Sequence, residues 1–123
     1  MGAIVVVTTV GEEARALVIA RELVARRLAA CVNVVPGMRS VYRWQGKICR
    51  DTEYLLMVKT LTEEYEAVAA AIRELHSYEL PEILAFEAAE ADERFVAWIR
   101  DSVDKSQPHD EDEGEIDLDD TSI

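Results

Sequence analysis

The stretch ACVNVVPGMRSVYRWQGKI, residues 30–48, constrains the fold more than any other part of the chain. It is rich in β-branched and aromatic residues and so reads as strand. Pro36 cannot donate a ladder hydrogen bond and Gly37 tolerates positive φ, so the pair marks a bulge on an edge strand. Gln45-Gly46 reads as a two-residue hairpin turn. Trp44 then faces Lys47, Tyr42 faces Cys49, and the return strand runs over residues 47–60. Both arms exceed the usual strand length of about five or six residues. A hairpin this long, kinked in its middle, projects from its own sheet and packs on something else, most simply another subunit.

The flanking segments supply the rest of the pattern. Residues 3–10, AIVVVTTV, form a continuous apolar and β-branched run that fits a central strand covered on both faces. Thr9-x-x-Glu12 has capping-box spacing and opens a helix over residues 13–28, with Leu17, Ala20, Val24 and Leu28 turned inward. Thr60 or Thr62 caps a second helix over residues 63–75, whose apolar stripe is Tyr65, Val68, Ile72 and Leu75. A loop ends near Pro81, a strand follows from residue 82 to about 88, and Asp92 caps a last helix with Phe95, Val96, Ile99 and Val103 inward. The order β-α-β-β-α-β plus a terminal helix is the ferredoxin-like split βαβ pattern, an α+β sandwich.

Charge divides the chain. Of 25 acids and 13 bases, residues 104–123 hold nine acids and one base. That segment carries −8 of the net −12, and residues 1–103 carry the remaining −4. The domain is therefore expected at 1–103, with a disordered acidic tail at 104–123. Neither part offers a basic stripe, so nucleic acid is not an expected partner. No apolar run approaches a membrane span, and the N-terminus lacks the basic region of a signal peptide. A cytoplasmic protein is expected.

The motifs ACVN (30–33), VPG (35–37), YRWQGKI (42–48), LLMVKT (55–60) and HSYELPEI (76–83), in that order, resemble the CutA family of divalent-cation tolerance proteins. The resemblance spans roughly residues 3 to 103. It implies a homotrimer held by strand pairing between subunits, on a plan shared with the PII signalling proteins, and a role in tolerance to divalent metals with copper as the usual proposal. Two positions depart from the family. Its His-Pro-Tyr-Glu is His76-Ser77-Tyr78-Glu79 here, and the Cys that some relatives carry at the end of the first strand falls near Thr8.

The candidate site residues each carry a structural and a functional reading. Cys31 is a small core residue or a soft thiolate ligand for copper or zinc. It cannot reach Cys49, about 36 Å away along an extended strand, so no intrachain disulfide is expected. His76 either favours a helix C-terminus or, with Glu79 and Glu82 near, ligates a metal. Lys59 ends an apolar strand, so it pairs with a carboxylate such as Glu53 or Glu79, or it attracts an anion in a cleft between subunits. Tyr42 and Trp44 are interface anchors or stack on a ligand. The tail does not make a calcium loop, since His109 would stand first and Asp120 last.

Enzymatic chemistry is not expected. No nucleophile, base and orienting group stand in a recognisable pattern, and no phosphate loop is present. Acylphosphatases share the fold but need an Arg after the first strand, where this chain has Glu12 and Glu13. Three functions follow: a trimeric metal-binding tolerance protein, a PII-like module holding a small ligand in clefts between subunits, or a structural trimer that docks a partner protein.

Overall fold

The computed structural model describes residues 2–106 and 115–119. Its elements are β1 (Ala3–Val10), α1 (Glu13–Ala25), β2 (Cys31–Trp44), β3 (Lys47–Leu61), a 3₁₀ turn (Thr62–Glu64), α2 (Tyr65–Leu75), β4 (Leu84–Glu87) and α3 (Glu93–Val103). The strands form one antiparallel sheet in the order β2-β3-β1-β4, the ferredoxin-like α+β arrangement that the sequence implied. The hairpin follows the sequence reading closely. Gln45 and Gly46 both have positive φ, at 50° and 77°, and Trp44 pairs with Lys47. The register slips by one residue between Val35 and Met38, with Gly37 at φ 75° inside the bulge. Beyond the bulge, seven pairs from Met38↔Glu53 to Trp44↔Lys47 join only β2 and β3, because β1 stops opposite Tyr54. The free arm is thus about 23 Å long.

Cross-strand partners share a face, so the register sorts the sheet into two sides. Ile4, Val6, Val10, Leu56 and Val58 lie on one side and are buried with Ala16, Ile19 and Leu23 of α1 and Val68 and Ile72 of α2. The rows Phe86–Val5–Lys59–Cys31 and Leu84–Val7–Met57–Asn33 lie on the other. The middle of this second side is uncovered: the loop after α2 buries Thr9 and Glu53 at one end, and α3 covers the other. There Ala3 and Leu61, with Ala30, pack against Ile99 and Val103 of α3. Leu84 and Phe86 remain 52% and 55% exposed. The expectation that β1 is covered on both faces therefore fails within one subunit: α1 and α2 cover one face only.

Several local expectations are corrected. α1 buries Ala16, Ile19 and Leu23, while Leu17 and Val24 are exposed. Both stripes satisfy the helical period, and the one containing Ala16 lets the helix sit close to the sheet. Thr9 caps nothing, since it belongs to β1 and the N-cap is Glu12 without a side-chain bond. Thr60 and Thr62 do not cap α2 either. Their hydroxyls donate to the carbonyls of Leu28 (2.7 Å), after α1, and Gly2 (3.2 Å), before β1. α1 ends in a Schellman motif with Arg27 at φ 57°, where glycine is customary, and the Arg27 guanidinium reaches the Ser102 carbonyl at 3.0 Å. Asp92 caps α3 as expected, accepting from the amides of Arg94 and Phe95. Phe95 is exposed rather than inward, its ring 5.5 Å from that of Trp98.

The disorder expected of the tail concerns residues that largely lie outside the described ones. Of the described segment, Glu115 makes an ion pair with Arg21 of α1. No described helix is long and apolar enough to cross a membrane.

Thr8 lies in the helix-covered face, fully buried, and among the described residues its hydroxyl has no hydrogen-bond partner. An unmet buried hydroxyl costs about 1–3 kcal/mol. Thr8→Val keeps the shape and removes that cost, so its urea midpoint should rise at unchanged slope. A lower midpoint would mean that the hydroxyl is satisfied in solution.

Candidate functional site

The bulge at Pro36-Gly37 lifts the arm away from the body, and the loop after α2 folds into the angle. Between them opens a cleft of about 760 Å³, floored by Thr9 at the end of β1 and walled by the arm on one side and residues 77–82 on the other. Glu53, Asp51 and Cys49 continue the alternation of Leu55, Met57 and Lys59 along β3, where no bulge interrupts it. The cleft therefore opens on the uncovered second face. Its rings are Tyr42, Trp44 and Tyr78; its charges are Asp51, Glu53, Glu79, Glu82 and Arg39.

Four groups fix its inner corner. His76 closes α2, and its Nε2–H donates to the Thr9 carbonyl at 2.7 Å. Its Nδ1 accepts the Tyr78 amide at 3.0 Å. A carbonyl only accepts and an amide only donates, so these two bonds select the neutral Nε2–H tautomer. Tyr78, held with its ring 4.6 Å from the imidazole, donates its hydroxyl to Glu53 Oε2 at 2.7 Å. A Cβ on Gly11 would stand 2.9 Å from that hydroxyl, so only glycine leaves room there. Glu53 is 5% exposed. Burial, then the Glu53 carboxylate, pushes the Tyr78 phenol well above its ordinary range. Burial and nearby Asp51 raise Tyr42 as well, across a longer 3.5 Å contact.

The structure unites some of the sequence candidates and separates others. Tyr42, Trp44 and Glu79 line the cleft. Lys59 does not: it stands in the second-face row between Val5 and Cys31, and it forms no ion pair among the described residues. Glu53, proposed as its partner, lies six residues away and accepts from Tyr78 instead. His76 borders the cleft with both ring nitrogens engaged, so ligating a metal would cost it one of those bonds. Cys31 pairs opposite Lys59 whereas Thr9 pairs opposite Leu55, so Cys31 and His76 are about 13 Å apart along the sheet. Cys31 and Cys49 are free thiols, ten rungs apart on β3. Among the described residues no three His, Cys, Asp or Glu side chains gather closely enough to hold a metal ion. The described residues of one chain thus do not by themselves close a metal centre. Sequence reading missed Glu53, Tyr78 and Gly11 as a unit. The lone acid opening an apolar strand at residues 53–61 was the available signal for Glu53.

Two outcomes follow from this corner. His76 has the extended backbone, ψ 150°, that a following proline imposes. Ser77→Pro should therefore raise stability by about 0.4–1 kcal/mol by restricting the unfolded chain, and a fall in melting temperature would contradict the assigned loop geometry. A phenol raised on folding stabilises the protein fully below its unfolded pKa, and the gain fades as pH climbs through the folded value. An alkaline titration followed by phenolate absorbance should show Tyr78 as the most resistant of the four tyrosines, that last step lost in Tyr78→Phe and moved part-way down in Glu53→Gln. Four tyrosines ionising together would contradict the Tyr78–Glu53 contact.

Residues 4–102 match the profile of the CutA1 divalent ion tolerance protein family. The divalent-cation tolerance protein CutA of Thermus thermophilus is 46% identical over 98 residues, covering 80% of this chain and 95% of that one. Human CutA is 40% identical over 82 residues, and these span 67% of this chain but only 46% of the human protein. Among solved structures, the Thermus thermophilus protein superposes with a TM-score of 0.80 at 44% identity, covering 83% of this chain and 99% of that one. CutA from Xylella fastidiosa gives 0.82 at 36%, covering 85% and 100%. A protein from Archaeoglobus fulgidus described as a periplasmic divalent cation tolerance protein gives 0.81 at 33%, covering 83% and 99%. With the fold, the arm and the motifs all in place, the chain belongs to the CutA1 family of divalent ion tolerance proteins.

Proposed function

We propose that the chain works as a homotrimeric divalent-cation tolerance protein that meets copper, or another divalent ion, at sites shared between subunits. The observation that carries this reading is the uncovered second face. Its rows Leu84–Val7–Met57 and Phe86–Val5 are apolar, and the arm beyond them exposes Val41 and Ile48. Apolar surface of that extent is what subunit contacts bury. Further copies of the same chain supply the cover, and the arms reach across to pair with them. Cys31 supports the metal side of the reading. It lies half-exposed on β2 in the second-face row, so its thiol faces the proposed contact rather than the helix-covered core. Since no described ligand set closes within one subunit, Cys31 needs His76 or Glu79 of another. We assign no enzymatic reaction. We place the protein in the cytoplasm, where two partly exposed free thiols persist; relatives described as periplasmic and chloroplastic show that compartment varies within the family.

A second reading rests on the cleft. Its volume of about 760 Å³ and its three rings suit a small organic ligand better than a bare ion. Both readings place function beside subunit contacts, as in PII-like modules.

Calorimetric titration with Cu(II), and with Cu(I) under reducing conditions, tests the metal reading. Saturable binding in simple ratio to subunits is expected, weakened at least tenfold in Cys31→Ser, the usual cost of losing a ligand-shell member. Unsaturable binding, or affinity unchanged in that variant, would remove Cys31 and leave the cleft.

A further inference from the structure

We propose that the cleft takes a small linear polyamine, an extended organic cation, with its ammonium groups on the carboxylates and its methylenes across the rings. This deepens the small-ligand reading of the cleft and rests on it, not on metal binding. The first observation is charge. Four carboxylates face the space against one Arg39, so an anionic ligand such as a nucleotide is disfavoured. The second is spread. The same carboxylates do not gather three to a point, so they suit charges distributed along a chain rather than one compact ion. Asp51 and Glu53 stand two residues apart on one face of β3, about 7 Å, which a short diamine spans.

The third observation is Glu53 itself. It is 95% removed from solvent yet only Oε2 is engaged, by Tyr78; among the described residues Oε1 accepts from no donor. Oε1 is not sealed from solvent, so the carboxylate can take a cationic donor there without giving up its bond from Tyr78. The fourth is the lining. Tyr42, Trp44 and Tyr78 line the same volume, and aromatic faces attract ammonium groups while covering alkyl stems. Burial and hydrogen bonding keep the Tyr78 phenol un-ionised, so it donates to Glu53 and adds no charge of its own.

The test is calorimetric titration of the full chain with spermidine at physiological salt, with propylamine as the single-charge control. Saturable spermidine binding near one per chain is expected, with propylamine at least tenfold weaker. Glu53→Gln and Asp51→Asn, both shape-conserving, and Trp44→Ala should each weaken spermidine at least tenfold. The paired tail variant Asp117→Asn with Asp119→Asn should bind as wild type. Affinity lost in the tail variant but kept in the cleft variants would overturn the proposal in favour of nonspecific attraction to the tail. So would equal binding of both amines, or none. Particle mass measured on the same samples separates this outcome from the assembly: spermidine bound by a protein that is not a trimer would sink the trimer and keep the cleft.

Discussion

A four-stranded sheet has two faces, and this chain has helices enough to cover one. α1 and α2 bury the row of Val6 and Val58 with its neighbours, while α3 reaches only the Ala3 and Leu61 end of the other side. Everything distinctive about the molecule follows from that shortfall. The remaining rows keep Val5, Val7, Leu84 and Phe86 at a surface that carries one ammonium, Lys59, and one thiol, Cys31. At this chain length a single core is thin, so the burial still available on the second face is a substantial share of what folding and assembly can gain.

The bulge converts the same face into a site. By adding one residue to β2 alone, it bends the arm while leaving the alternation of β3 intact. Glu53 and Asp51 thereby stay on the side of Leu55 and Met57 but rise above the end of β1. The loop from His76 then closes over Thr9, and two hydrogen bonds to the imidazole aim Tyr78 at Glu53. Gly11 is the space that makes this possible. Cleft and uncovered face are continuous, so whatever covers the face also shapes the cleft.

Much of this was legible in the residues. Pro36 lacks a ladder donor, and Gly37 and Gly46 take the positive φ that few residues tolerate, so these pairs set bulge, turn and register correctly. The long apolar runs and the Asp92 cap located strands and α3. Where reading failed, two patterns competed or the deciding partner lay far off in sequence. α1 carries two stripes of equal period, and only packing against the sheet chose Ala16, Ile19 and Leu23. Its end had no glycine to announce it, because Arg27 takes the left-handed conformation with help from Ser102 on α3. Thr60 and Thr62 looked like caps and instead donate to the carbonyls of Leu28, after α1, and Gly2, before β1. Of the site candidates, Tyr42, Trp44 and Glu79 line the cleft, while Lys59, read as pairing with a carboxylate or attracting an anion in a cleft between subunits, stands in the second-face row. Glu53 finds Tyr78 across 25 residues, and no local pattern encodes that distance.

The central claim is that other copies of the chain cover the second face. Sedimentation equilibrium of the wild type beside Val7→Asp measures this most directly, because Val7 sits in the middle of the uncovered face and outside the helix-covered core. Three chains per particle are expected for the wild type and a smaller particle for the variant, folded by circular dichroism. A wild type that sediments as a single chain, or a Val7→Asp variant that stays trimeric with its affinity intact, would contradict it.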